Sequence, residues 1–389
     1  MEIQAFGVEE WLNVWENDAV YDIAGSSIAS MTLEEILNLD PAGKDALLAE
    51  LLQKKMNYGW IEGSPEFKEE VAKLYQTVKP SQILQTNGAT GANFLALYAL
   101  IERGDHVVSL YPTYQQLYDI PRSFGAEVSL WKIHEEDKWL PSLDELRQLV
   151  RPDTKMICIN NANNPTGAIM DRAFLEGIVE VAREVGAYIL SDEVYKPLED
   201  GLEVPAIVDI YEKGISTNSL SKTYSVPGVR VGWVVANDEV TELFRKYRDY
   251  TMICAGVFDD FITTHVLKHK EAVLKRNQAI VSENLAIVKD WVAKEPRVSL
   301  VFPRHVSTSF IKLDIPEETE SFCIRLLKEK GVLLVPGNRF DMPGYARLGY
   351  CTHTETLKNG LQNLSEFLRQ FDEKIVGSHP KFQVEISHP

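Results

Sequence analysis

From residue 83 to residue 235 the chain alternates short, β-prone apolar runs with stretches whose apolar residues recur every three or four positions. Residues 83–85, 106–110, 127–133, 155–160, 188–190, 215–219 and 231–235 read as strands. Between them the spacing predicts a helix with Phe94, Leu95, Tyr98 and Ile101 on one face, then helices over 114–124 and 143–150, the latter capped by Ser142. A further helix is predicted over 171–185, with Phe174, Ile178, Val181 and Val185 inward. This alternation limits the fold more than any single residue does. Strands joined through helices run parallel, their crossovers are right-handed, and the helices must cover both faces of the sheet. The expected class is α/β, with a mostly parallel, doubly wound sheet.

The chain has 389 residues, which is long for one core, so two units of unequal size are expected. Residues 1–44 read as an arm with short helical pieces around Trp11, Val14 and Trp15 and a cap-like start at Thr32. Residues 45–275 form the large unit and 276–389 a smaller α/β unit, with a mostly helical spine over 259–294 between them. The smaller unit is expected to hold strands at 298–301, 309–313, 332–335 and 345–348 and helices over 319–330 and 354–371. The polar tail from Glu373 is expected to be loosely held.

Composition removes some functions. With 40 basic and 57 acidic side chains the formal net charge is -17, a sign that opposes nucleic-acid backbones and anionic membranes. No apolar run is long enough to span a bilayer, and the first residues lack a signal-peptide profile. Cys158, Cys254, Cys323 and Cys351 are far apart and form no C-x-x-C pair, so a cytoplasmic, reducing location is expected. His265 and His269 are four apart, but no glutamate follows the first, so a solvated helix face fits better than zinc and no metal is expected.

In open α/β sheets ligands bind beyond the carboxyl ends of the strands, and polar groups gather at those ends here. Gly88-Ala89-Thr90 follows one strand and opens a helix, where backbone N–H groups favour a phosphate. Asn163-Asn164-Pro165-Thr166-Gly167 follows a second strand, and Asp192-Glu193-Val194-Tyr195 ends a third. Ser219-Leu220-Ser221-Lys222 ends a fourth, with Arg230 eight residues past the lysine. Taken singly these read equally well as turns, caps or a solvated lysine. Four strand ends carrying compatible groups point to one site. A lysine losing hydration in such a crevice becomes a nucleophilic amine able to form a Schiff base, and serine with arginine suits a phosphate-bearing carbonyl compound.

The set Tyr58, Gly88-Ala89-Thr90, Asn164-Pro165-Thr166-Gly167, Asp192-x-x-Tyr195, Ser219-x-x-Lys222, Arg230 and Arg347 resembles the class I/II aminotransferases, pyridoxal 5′-phosphate (PLP) enzymes of fold type I, over roughly residues 55–350. The resemblance implies that Lys222 is the Schiff-base lysine and the base that moves the Cα proton. It implies that Asp192 faces the pyridine nitrogen and that Tyr195 and Asn164 donate to the phenolic oxygen. Gly88, Ala89, Thr90, Ser219 and Arg230 would hold the phosphate, and Tyr114 would stack on the ring. Arg347 would bind the substrate α-carboxylate. Tyr58 would reach the neighbouring subunit's phosphate, which implies a homodimer with shared sites.

One segment departs from the common pattern. Residues 22–30 stand where many relatives carry a glycine-and-proline loop; they are expected to shape the mouth of the site, with Ile28 and Ala29 against substrate. This stretch is similar to capreomycidine synthase-like members of the family, which cyclise an arginine derivative. No second arginine can be assigned to a dicarboxylic substrate. The expected function is a ping-pong aminotransferase acting on an amino acid and a 2-oxo acid. A lyase or cyclase on the same scaffold is the alternative, since the cofactor supplies the same electron sink to each. A non-catalytic sensor module fits less well, because the lysine and the aspartate are both present.

Overall fold

A computed structural model describes residues 2–372; the tail from Glu373 lies outside the described residues. The first strand, β1 (Tyr21–Asp22), belongs to the arm. Seven strands then build the main sheet: β2 (Ile83–Asn87), β3 (His106–Tyr111), β4 (Glu127–Lys132), β5 (Thr154–Asn160), β6 (Tyr188–Asp192), β7 (Gly214–Ser219) and β8 (Val231–Val235). Their spatial order is β2-β8-β7-β6-β5-β3-β4. All neighbours are parallel except at β8, which runs antiparallel to both β2 and β7. The central strands are buried almost throughout because helices cover both faces; every residue of β8 is buried.

Helices start where side chains supply missing acceptors for the first N–H groups. Ser64, Ser142 and Asp171 each accept from the backbone three residues on, and Thr32 with Glu35 forms a reciprocal capping box. The helix Gly88–Leu100 begins at Gly88 itself, directly after the last residue of β2. Its buried face differs from the periodic expectation. Leu95, Ala96, Leu97 and Leu100 are buried while Phe94 and Tyr98 stack on each other at the rim beside Phe124. A helix pressed between sheet and neighbouring helices buries small and aliphatic residues on most sides, which leaves the two rings the outer edge.

The expected spine is two helices, Val257–Lys268 and Lys270–Lys294, with a break at His269. The second buries Val273, Asn277, Val281, Asn284, Leu285 and Val288 along one stripe. Its two asparagines tie distant regions together. Asn277 Nδ2 donates to the Thr223 carbonyl at 2.7 Å, beside Lys222, and Asn284 Nδ2 donates to Tyr350 and Thr352 at 2.9 and 2.8 Å.

The C-terminal part holds β9 (Val298–Leu300), β10 (Ser309–Leu313), β11 (Val332–Leu333), β12 (Val335–Pro336) and β13 (Tyr345–Leu348). Four of these form an antiparallel sheet in the order β12-β13-β10-β9. The single strand expected over 332–335 is divided between two sheets. β11 pairs in parallel with β1 of the arm, and β12 joins the four-stranded sheet. The residue between them, Leu334, gives its carbonyl to the Trp11 indole at 2.9 Å. No helix among the described residues is long and apolar enough to cross a membrane.

Candidate active site

Beyond the carboxyl ends of β5, β6 and β7 lies a cavity of about 780 Å³. Its lining includes Ala89, Thr90, Tyr114, Asn164, Asp192, Tyr195, Ser219, Lys222, Arg230 and Arg347. Ten of the residues expected at the site thus meet in one place, drawn from segments more than 250 residues apart.

Gly88 and Arg230 form one end. Gly88 has φ +66°, and a Cβ there would sit 2.6 Å from Arg230 Nη2. Gly232 is constrained in the same way, since a Cβ on it would lie 2.6 Å from the Ala89 nitrogen. Bare backbone at both positions lets the N-terminal turn of the helix Gly88–Leu100 approach the guanidinium closely. Arg230 is aimed by bonds from Nη1 to Ser221 Oγ at 3.3 Å and to the Pro227 carbonyl at 3.0 Å. Ser219 Oγ accepts from the Ser221 N–H at 3.1 Å. N–H groups, a guanidinium and hydroxyls make a cradle for a phosphate.

At the other end Asp192 is 3% exposed. Burial raises its pKa; bonds from Asn93 and the Val194 N–H, and the charge of Lys222, pull it back down. Asn93 Nδ2 donates to Asp192 Oδ2 at 2.8 Å, while Asn93 Oδ1 accepts from Thr217 Oγ1 at 2.6 Å. The threonine therefore fixes which end of the amide meets the carboxylate. Asn160 and Asn161 both bond the Asp192 carbonyl, at 3.0 and 2.9 Å, locking β6 to the following loop.

Between these ends stands Lys222. Its Nζ is 2.9 Å from Ser26 Oγ, which also accepts from the Tyr195 hydroxyl at 2.9 Å. Burial, then the charge of Arg347, lowers the lysine to about 8. Tyr195 is pushed up to about 12, chiefly by burial, with Arg347 opposing. Arg347 is itself buried, its Nε on the Ala24 carbonyl at 3.1 Å and its Nη1 on Asn164 Oδ1 at 3.3 Å. That bond leaves the Asn164 NH₂ as the group able to donate into the cavity. The Tyr114 hydroxyl donates to Glu9 Oε1 at 3.3 Å, and its ring lies 4.9 Å from that of Phe6.

A phosphate cradle, a reactive amine and a buried carboxylate in this sequence along one cavity fit pyridoxal phosphate. The fit rests on the bare backbone at Gly88 and Gly232 and on the donor set, not on any single residue.

Three expected residues sit elsewhere. Ile28 and Ala29 do not line the cavity; they are buried behind its wall, with the Ile28 N–H on the Lys222 carbonyl at 3.4 Å and the Ala29 N–H on the Cys351 carbonyl at 2.7 Å. Gly25, Ser26 and Ser27 line it instead, because the chain turns inward three residues earlier. Tyr58 is 79% exposed, on a separate surface depression shared with Lys54, Trp60 and Phe261. The sequence reading missed Asn93, Ser26 and Glu9. Asn93 had one signal, a polar residue in the middle of an otherwise apolar helix. The His265 and His269 rings lie 4.6 Å apart and tilted at 54°, and His265 is buried with its Nε2 against the Ile36 carbonyl rather than on the expected solvated face; no His/Cys/Asp/Glu group among the described residues could hold a metal.

Comparison with known proteins agrees with this geometry. Residues 30–364 match the family described as "Aminotransferase class I and II". The chain is 31% identical to an aspartate aminotransferase of Thermotoga maritima over 355 residues, 86% of this chain and 92% of that one. It is 29% identical to capreomycidine synthase of Streptomyces vinaceus, over 94% of each. Among solved structures, a PLP-dependent aminotransferase from Streptococcus suis superposes with TM-score 0.94 at 62% identity, covering 96% of this chain and 99% of that one. The chain belongs to the class I and II aminotransferases, fold type I enzymes that work with pyridoxal phosphate.

Proposed function

We propose that this chain moves an amino group from an amino acid to a 2-oxo acid, with each half-reaction run in the cavity around Lys222. The carrying observation is that Lys222, Asp192 and Arg347 converge there with an anion cradle beside them. Lys222 would hold the cofactor through its amine, Arg230 with Ser219 and the Gly88–Thr90 turn would hold its phosphate, and Tyr114 would cover its ring. When bound, pyridoxal phosphate supplies an electron sink for the pair left at the substrate Cα. Asp192 would stabilise positive charge at the ring nitrogen, its carboxylate aimed by Asn93. Arg347 grips the α-carboxylate in its planar fork, which orients the Cα–H bond. Lys222, its amine largely neutral above about pH 8, would accept that proton and hold it beside the cofactor site. Tyr195 and Asn164 would donate to the ring oxygen.

In this reading residues 45–275 carry the cofactor, while the arm over 1–44 and residues 276–389 supply the substrate side of the cavity. The working form is a homodimer. Leu48, Leu52, Met56, Tyr58, Trp60 and Ile61 are exposed, as are Tyr250, Ile253 and Phe258. Such apolar exposure supports burial against a second copy, and it leaves Tyr58 free to reach the neighbour's phosphate. The unpaired cysteines support a cytoplasmic location.

The likeness to capreomycidine synthase over 94% of the chain favours one second reading, a cyclase or lyase using the same carbanion. Incubating the PLP-loaded enzyme with a panel of amino acids separates the two. Build-up of pyridoxamine phosphate supports transamination; ammonia with pyruvate, 2-oxobutyrate or a cyclised product supports the alternative.

A further inference from the structure

Once the charges named above have roles, the cavity still holds two that have none. Arg230 belongs to the phosphate, Arg347 to the α-carboxylate, Lys222 to the aldehyde and Asp192 to the ring nitrogen. The remainder are Glu9, on the helix Gly7–Trp15, and Glu16, one residue past its end, with Asn13 between them. No further basic side chain among the described residues lines the cavity.

This helix holds Glu9 in place. Its first N–H bonds Gln115 Oε1 at 2.8 Å, and Gln115 Nε2 returns to the Ala5 carbonyl at 2.8 Å. Its middle is pinned by the Trp11 indole on Leu334. Glu10, one position on, faces away and is neutralised by Arg339 at 2.7 Å. Glu9 and Glu16 have no such partner among the described residues; Glu9 accepts only the Tyr114 hydroxyl, a neutral donor. The Glu9 charge is felt deep inside, at Lys222, Tyr195 and Arg347. A distal carboxylate on the substrate would meet this repulsion with no arginine to offset it. A distal ammonium or guanidinium would find an acceptor already aimed at it.

We infer that the substrate taken by this site is an amino acid whose side chain ends in a cation, bound by Glu9 with Glu16 at the mouth. The inference rests on the aminotransferase reading for its chemistry but on separate residues for its charge.

The test uses the full-length, PLP-loaded enzyme and shape-matched pairs that differ in side-chain charge: L-arginine with L-citrulline, and L-lysine with L-norleucine. The cationic member of each pair is expected to drive the spectral half-reaction at least tenfold more efficiently. Glu9→Gln keeps the Tyr114 bond possible and is expected to lower the arginine-to-citrulline ratio about tenfold or more. L-Argininic acid, which has a hydroxyl in place of the amine and cannot transaminate, gives a second readout by calorimetry. It should bind at least tenfold more tightly than L-2-hydroxyhexanoate, and Glu9→Gln should remove the preference. Equal or faster turnover of citrulline, norleucine or aspartate, or a ratio unmoved by Glu9→Gln, overturns the charge assignment alone. If no amino acid is converted while argininic acid still binds through Glu9, the aminotransferase reading falls and the cation site stands.

Discussion

In the proposed reaction Lys222 would work at neutral pH because its surroundings leave the amine poorly solvated. Burial and the nearby Arg347 lower it from 10.5 to about 8, so the neutral, nucleophilic form is populated where an ordinary lysine would stay charged. The rate at which apoprotein captures pyridoxal phosphate is therefore expected to rise with pH around a midpoint near 8, followed by stopped-flow absorbance. A midpoint near 10.5 would contradict the environment described for this lysine. Asn93 offers a sharper check on positioning. Asn93→Ala leaves the buried Asp192 without its 2.8 Å donor, at a cost of about 1–3 kcal/mol. Pyridoxal phosphate should absorb with an altered pH profile in the variant, with kcat down roughly tenfold to a hundredfold on that energy scale. An unchanged spectral titration would show that Thr217 and Asn93 serve packing alone. Lys222, Asp192 and Arg347 were legible in the sequence because each sits beside a strand end or within a short motif. Asn93, Ser26 and Glu9 were not, because what gives them meaning is a partner about 100 to almost 200 residues away.

At the scale of elements, strand positions followed from apolar runs such as Met156 to Ile159, which is buried on both faces. Pairing was harder to see. β11 and β12 are one run in the sequence, and their assignment to different sheets is set by the Trp11 indole taking the Leu334 carbonyl between them. The helix Gly88–Leu100 shows the reverse case, where an element's first residue determines what the element can do. Gly88 holds φ +66° with its Cα face against Arg230. Gly88→Ala introduces a strained backbone and a methyl where the guanidinium lies. Affinity for pyridoxal phosphate should fall about tenfold or more, the equivalent of roughly 1.4 kcal/mol, as measured by equilibrium dialysis. Retained affinity would mean that this turn does not carry the phosphate.

Across the whole molecule, two properties depend on no single contact. Glu193, beside Asp192, accepts from the Ile207 N–H at 2.8 Å and from Ser216 Oγ at 3.0 Å, and burial raises it from 4.5 to about 8. The native state then binds more protons than the unfolded chain between those values, so this group's contribution to stability declines as pH rises from 4.5 through 8. Glu193→Gln keeps both bonds and should flatten that decline, read as Tm against pH for both proteins. A steeper fall in the variant would reverse the sign of the argument. The second property is assembly. Met56→Lys and Trp60→Lys place charge on the exposed apolar patch and should shift sedimentation toward monomer with loss of activity; a monomeric wild-type protein would remove the role given to Tyr58. Finally, β1 is zipped to β11, and Gly349 abuts the Gly25 carbonyl so closely that no side chain fits between them. The inner wall bearing Ser26 and the strand bearing Arg347 are thereby one mechanical piece. Any hinge that swings the C-terminal portion inward delivers the serine and the arginine to an incoming carboxylate in a single stroke, and neither can arrive without the other.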